Sequence, residues 1–161
     1  MSVRTLSVAA AAAIYLQIIL GAIMRHTGSG LAIPDFPLAF GRQIPPEFSR
    51  QILANFAHRV GAVVVALLVL WLARVVLRRH RGETWLTRPT WVLLAALVMQ
   101  ISLAAWTVWS AKAVIPTTLH VAGGSLVLGT ALVLTLRIHR LVARRTSEAP
   151  AAAARAGASA R

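Results

Sequence analysis

Two histidines stand inside long apolar stretches of this chain. The segment "NFAHRVGA" carries His58 between Asn55 and Arg59, and "TTLHVAGG" carries His120. Ionisable side chains in such surroundings are costly to place and mark sites with a job to do. If both stretches are helices running the same way, His58 lies ~9 Å and His120 ~5 Å from the same end, at ~1.5 Å per residue. Two parallel helices then present one imidazole each at nearly one level, as a planar iron porphyrin held between two axial nitrogens requires. Ala54, Ala57, Gly61 and Ala62 surround His58, and Gly123 and Gly124 follow His120. Small residues let a flat macrocycle approach, and equally let helices pack with nothing between them. Either histidine alone also fits a buried hydrogen bond to a carbonyl. Zinc fits less well, because no third or fourth ligand stands at that level and the chain has no cysteine.

Arg25 and Arg59 lie toward the same end, where the carboxylates of an upright porphyrin would emerge, and a guanidinium meets a carboxylate with paired hydrogen bonds. Snorkelling to lipid headgroups is the alternative for both. His26 reads as a helix-end polar residue or a third ligand. His80 and His139 fall among arginines and read as surface groups.

The elements that must position these residues follow from composition. Of 161 residues, 58% are hydrophobic and 13% charged, with a mean hydropathy of +0.72. Soluble domains carry roughly 25% charge. An apolar helix of about 20 residues crosses a hydrocarbon core of ~30 Å. Four such runs occur: Leu6–Met24, Ile52–Leu77, Trp91–Ala111 and Thr117–Ile138. They predict an all-α, integral membrane four-helix bundle over 1–145, because a chain in lipid must satisfy its own backbone. The first run exceeds a signal-peptide core of ~7–15 residues and reads as a span. The tail over 146–161, "TSEAPAAAARAGASAR" with its Ala-rich repeats, is expected to be disordered.

The net charge of +13 is placed for a membrane rather than for nucleic acid. Arg4, Arg74, Arg78, Arg79, Arg81, Arg88, Arg137, Arg140, Arg144 and Arg145 all fall on one side if the spans alternate, which puts both termini in the cytoplasm. The opposite side holds the loop 25–51. Its "TGSGLAIPDFPLAFGR" mixes glycines that open backbone conformations with prolines that close them, around Asp35. Asp35 is expected to pair with Arg25 or Arg59 and order the loop. A weak repeat, "LQIILGA" from Leu16 and "MQISLAA" from Met99, predicts two pseudo-symmetric helical hairpins, with Gln17 and Gln100 as ties between helices.

Taken together, Gly21-Ala22, "RHTGSGLAIPDFPLAFGR", "IPP", "NFAHRVGA", "TVWS" and "TTLHVAGG" resemble the heme A synthase family of cytochrome oxidase assembly proteins, from about Gln17 to Gly129. The resemblance implies an oxidoreductase that converts a methyl group of heme O to the formyl group of heme A in a bacterial or archaeal cytoplasmic membrane. It implies His58 and His120 as axial ligands of haem iron, with Arg25 and Arg59 as further haem contacts. Family members are typically eight-helix proteins of two such halves, so this four-helix form implies a homodimer or a second half-length member. The half thought to be catalytic has a glutamate three residues before its histidine; here that place is Asn55, which cannot act as a proton-transferring base. The wording around His58 looks more like the half that holds haem b. A non-catalytic haem b-binding subunit with an electron-transfer or structural role is therefore the alternative.

Overall fold

The computed structural model describes residues 1–159, with side chains to Ala143. It contains four long helices: α1 (Val3–His26), α2 (Arg50–Arg79), α3 (Thr84–Trp109) and α4 (Val114–Ser159). A 3-10 turn at Ser29–Leu31 and one isolated antiparallel bridge, Ala39 to Arg42, complete the regular structure among the described residues. The tail expected to be disordered, 146–161, lies outside the residues whose side chains are described.

All four helices are long and apolar enough to cross a membrane, α4 over Val114–Ala143, and the chain is an integral membrane protein. Their outer faces carry Val63, Val64, Leu67, Leu70, Val98 and Leu136 exposed, a surface suited to lipid. Each helix packs on the two beside it, in the ring α1–α2–α3–α4, so α2 and α4 stand on a diagonal.

The helices extend beyond the apolar runs because local chemistry starts and stops them. Ser2 caps α1 by accepting the Thr5 N–H at 3.1 Å, and Ser49 caps α2 by accepting that of Ile52 at 3.2 Å. Among the helix starts, the largest difference is at α3, which begins at Thr84 rather than near Trp91. Pro89 sits inside it and offers no N–H to the carbonyl four residues earlier. That carbonyl belongs to Trp85, and Arg137 of α4 donates to it from Nη1 at 2.6 Å. A cation from the neighbouring helix thus fills the gap, and the polar turn before the membrane stays helical.

The buried core occupies one half of the bundle. It is built from Leu6, Ala10 and Ile14 on α1, Val65, Val69, Leu72 and Val76 on α2, Leu86, Leu93 and Leu97 on α3, and Val127, Ala131, Leu134 and Ile138 on α4. The alternating three- and four-residue spacing is one face of each helix. Apolar side chains gain little by leaving lipid, so close packing holds this half together. The core stops at Ile14, Val65, Leu97 and Val127. The next turns toward the long loop hold Gln17, His58, Gln100 and His120 instead, all half-buried.

Candidate functional site

Each hairpin builds the same arrangement at this level. In the first, Gln17 of α1 donates from Nε2 to the main-chain carbonyl of His58 at 2.8 Å. In the second, Gln100 of α3 donates to the carbonyl of His120 at 2.8 Å. One turn past each histidine comes a glycine, and its bareness is needed. A Cβ on Gly61 would strike the amide oxygen of Gln17, and a Cβ on Gly123 that of Gln100. The weak sequence repeat is thereby a real structural one: Gln17, His58 and Gly61 correspond to Gln100, His120 and Gly123.

The two copies differ at the rings. Gln17 also donates to His58 Nδ1 at 3.0 Å, whereas His120 Nδ1 is buried with no hydrogen-bond partner. The amide oxygens of Gln17 and Gln100 are likewise buried and unpartnered. Gly21 lies against the His58 ring, where a Cβ would come within 3.0 Å of Cε1. Its counterpart in the second hairpin is Ala104, so the small-residue lining is closest on the His58 side.

These features fit a haem better than an empty polar layer. Buried nitrogen and oxygen atoms without partners are costly, and here three of them cluster where the apolar core gives way. Imidazole nitrogens are the donors that haem iron takes, and Gly61 and Gly123 seat the glutamine amides close to the two histidine turns. Among the described residues no group of three His, Cys, Asp or Glu is placed to hold a bare metal ion.

Above this layer the loop 25–51 is fastened to α2 by two residues. Asn55, 3% exposed, donates to the carbonyls of Ser29 at 2.9 Å and Gly30 at 3.2 Å, and its oxygen accepts the Arg59 Nε–H at 2.9 Å. Arg59 then donates to Leu38 at 2.8 Å, Ile33 at 3.0 Å and Asp35 at 2.8 Å, each time to a main-chain carbonyl. Its guanidinium also stands 5.9 Å from the centre of the Phe36 ring. Of five guanidinium hydrogens, these bonds leave a single Nη1 hydrogen for any other partner. Arg59 is thus chiefly a clamp on the loop. Arg25 and His26 are exposed at the end of α1, apart from this network.

Asp35 meets Arg59 through its backbone carbonyl, and its carboxylate has another use. The oxygens accept the N–H groups of Phe40 and Gly41, both at 2.8 Å. Those two residues form the turn between Ala39 and Arg42, with φ of 56° and 72°, the left-handed pair of a type I′ hairpin. A residue with a Cβ resists that conformation by ~1–2 kcal/mol, and at Phe40 the carboxylate offsets the cost. The N–H of Gly41, and next that of Phe40, hold the Asp35 carboxyl below its usual range.

The loop also reaches the second hairpin, which residue types alone do not reveal. Trp109, at the end of α3, packs edge-on to Phe36 with centroids 6.3 Å apart, and its Nε1–H points to the Phe36 carbonyl at 3.4 Å. The Lys112 side chain lies beside Gly30, where a Cβ would meet it at 3.2 Å. The only advance signal was the "TVWS" stretch ending α3. His139 donates from Nδ1 to the Thr135 carbonyl of its own helix at 2.9 Å, far from the histidine layer.

The chain is similar in sequence to known proteins over most of its length. The chain is 31% identical over 140 residues to the heme A synthase of Caulobacter sp. (strain K31), covering 80% of this chain and 40% of that protein. It is 31% identical over 124 residues to the heme A synthase of Rickettsia bellii (strain OSU 85-389), covering 71% and 36%. A shorter match, 43% over 77 residues, is to the heme A synthase of Symbiobacterium thermophilum, covering 44% of this chain and 25% of that protein. The chain therefore spans about two fifths, or less, of the length of these relatives. The profile of the cytochrome oxidase assembly proteins, COX15-CtaA, matches residues 2–132, and the chain belongs to that family.

Proposed function

We propose that this chain is a haem-binding unit of heme A synthase type, acting in the conversion of heme O to heme A for cytochrome oxidase. His58 and His120 would hold the haem iron through their imidazole nitrogens. The observation that supports the reading is the repeated Gln–His–Gly arrangement, one in each hairpin, with buried unpartnered polar atoms in it.

The haem, when bound, supplies the iron redox chemistry. The chain's own residues do the rest. The two histidines bind, Gly61 and Gly123 seat the glutamine amides beside the histidine turns, and the clamp of Asn55 and Arg59 keeps the loop closed over the site and water out. Arg25 and the remaining Nη1 hydrogen of Arg59 are the groups available to haem carboxylates. Both termini lie in the cytoplasm and the loop lies outside, as the arginine distribution demands. The localisation is the cytoplasmic membrane of a bacterium or archaeon.

A second reading is favoured by Asn55. Its amide is wholly engaged by Ser29, Gly30 and Arg59, and an amide takes no proton from a substrate. On that reading the chain holds haem b and serves a catalytic partner, a second copy or another family member, by electron transfer or structure. Expression in a host that makes heme O but no heme A separates the two. Heme A or its hydroxylated precursor in the extracted haems establishes catalysis by the chain itself. Bound haem b with no conversion establishes the second reading, and absence of any haem refutes both.

A further inference from the structure

We propose that Gln17 and Gln100 are positioning residues for the two axial histidines, each accepting the Nδ1–H of its histidine in the haem-loaded protein. This rests on the haem-ligation reading above.

An imidazole that gives one nitrogen to iron must carry its proton on the other, and that N–H takes an acceptor nearby. In apolar surroundings the acceptor has to be supplied by the protein. Around His120 the described residues leave two complementary atoms unmatched: ring Nδ1 and the Gln100 amide oxygen, both buried. The same two residues are already joined, because the Gln100 amide N–H holds the His120 carbonyl at 2.8 Å. One amide therefore has its donor side committed to the main chain of the histidine and its acceptor side vacant, against Gly123 one turn further along α4.

The first hairpin repeats the anchor and shows the ring itself in reach. Gln17 Nε2 bonds the His58 carbonyl at 2.8 Å and approaches Nδ1 at 3.0 Å, while its oxygen is buried and unpartnered. With an amide N–H on Nδ1, the neutral ring carries its proton on Nε2. Binding iron through Nε2 moves that proton to Nδ1, and the unpartnered oxygen of the same Gln17 amide becomes its acceptor once the amide turns over. His58 thus has to exchange one glutamine atom for the other, whereas His120 has no such bond to break. The two ligands are consequently unequal, with His120 the tighter. Gly61 and Gly123 belong to the device, since a Cβ at either would displace the amide.

The test is made on the full-length protein in detergent, loaded with ferric protoporphyrin IX. The variants are Gln17→Leu and Gln100→Leu, which keep the side-chain bulk but remove the amide, and Gly61→Ala and Gly123→Ala, which keep the amide but displace it. Alanine is the better helix former, so the glycine variants retain the bundle even if a glutamine variant does not. Loss of an outer partner typically weakens a metal site by roughly 10- to 100-fold. Haem affinity is expected to fall by that factor in all four. At saturating haem the midpoint potential is expected to rise, because a ring without its acceptor donates less charge to ferric iron. A mere tie between helices would leave that potential where it is.

Wild-type potential and affinity in all four variants overturn the assignment. His58→Ala and His120→Ala distinguish this from failure of the underlying reading. If both keep the six-coordinate low-spin spectrum, the histidines are not ligands and both proposals fall. If they lose it while the glutamine and glycine variants match wild type, only the positioning role falls.

Discussion

Replacing Arg59 with lysine keeps the charge and removes the fork, which isolates the clamp on the loop. Arg59 makes four hydrogen bonds, to the Asn55 side chain and the carbonyls of Ile33, Asp35 and Leu38. The Leu38 bond is exposed and water replaces it at little cost. The other three are partly buried. A bond from a charged donor contributes ~1.5–3 kcal/mol, and an ammonium at the end of a flexible chain recovers one of the three at best. Losing two weakens the closed loop by about 3 kcal/mol, roughly a hundredfold at ~1.4 kcal/mol per factor of ten. Hydrogen–deuterium exchange in nanodiscs reads this directly. Protection of the Ala39, Phe40, Gly41 and Arg42 amides is expected to drop about a hundredfold, with the amides of 65–76 in the core unchanged. Wild-type protection at Phe40 and Gly41 would refute the view that Arg59 holds the loop.

The Asp35 carboxyl is held below its ordinary value of 3.8 by the Gly41 and Phe40 N–H groups. A depressed folded value stabilises the loop above the unfolded value and loses that contribution as pH falls through the folded one. The Phe40 and Gly41 amide shifts should therefore titrate together with a midpoint below 3.8, and Asp35→Asn should abolish the titration; a midpoint at or above that value contradicts the turn assignment. Arg137→Ala should destabilise the bundle by about 1–2 kcal/mol in the wild type and by much less in a Pro89→Ala background, where α3 supplies its own N–H to Trp85. Equal losses in thermal unfolding of both backgrounds would disprove the compensation. Lys112, with φ of 65°, should gain ~1 kcal/mol on replacement by glycine, read as a higher unfolding temperature. A reporter fused after Arg145 should report the cytoplasm, and a periplasmic signal would invert the proposed topology.

Much of the fold was legible in advance because lipid imposes a length and a composition on every span. The four expected runs fall within or across the four observed helices, and the differences lie at their ends. The start of α3 was missed since hydropathy reports what lipid tolerates, whereas Thr84–Arg88 is a helical turn outside the strongly apolar stretch. The histidine pair, Asn55, Arg59, Asp35 and both glutamines were all singled out by type, and the structure gives each of them a hydrogen-bonded or buried place, whereas Arg25 and His26, also singled out, stay exposed.

What the amino-acid sequence determined by itself was the inventory: four spans, two histidines near one depth, and a polar loop punctuated by glycines and prolines. Of Gly28 and Gly30, the pair it marked for special backbone, only Gly28 has a positive φ, which otherwise falls in the loop on Phe40 and Gly41. Which groups those polar side chains hold was decided only by the tertiary structure. Asn55, Arg59, Gln17, Gln100 and Arg137 all donate to backbone carbonyls, those of Ser29, Gly30, Ile33, Asp35, Leu38, His58, His120 and Trp85. Every residue carries the same carbonyl, so such acceptors leave no trace in residue type. Only the crossing of helices and the path of the loop bring a particular one within reach.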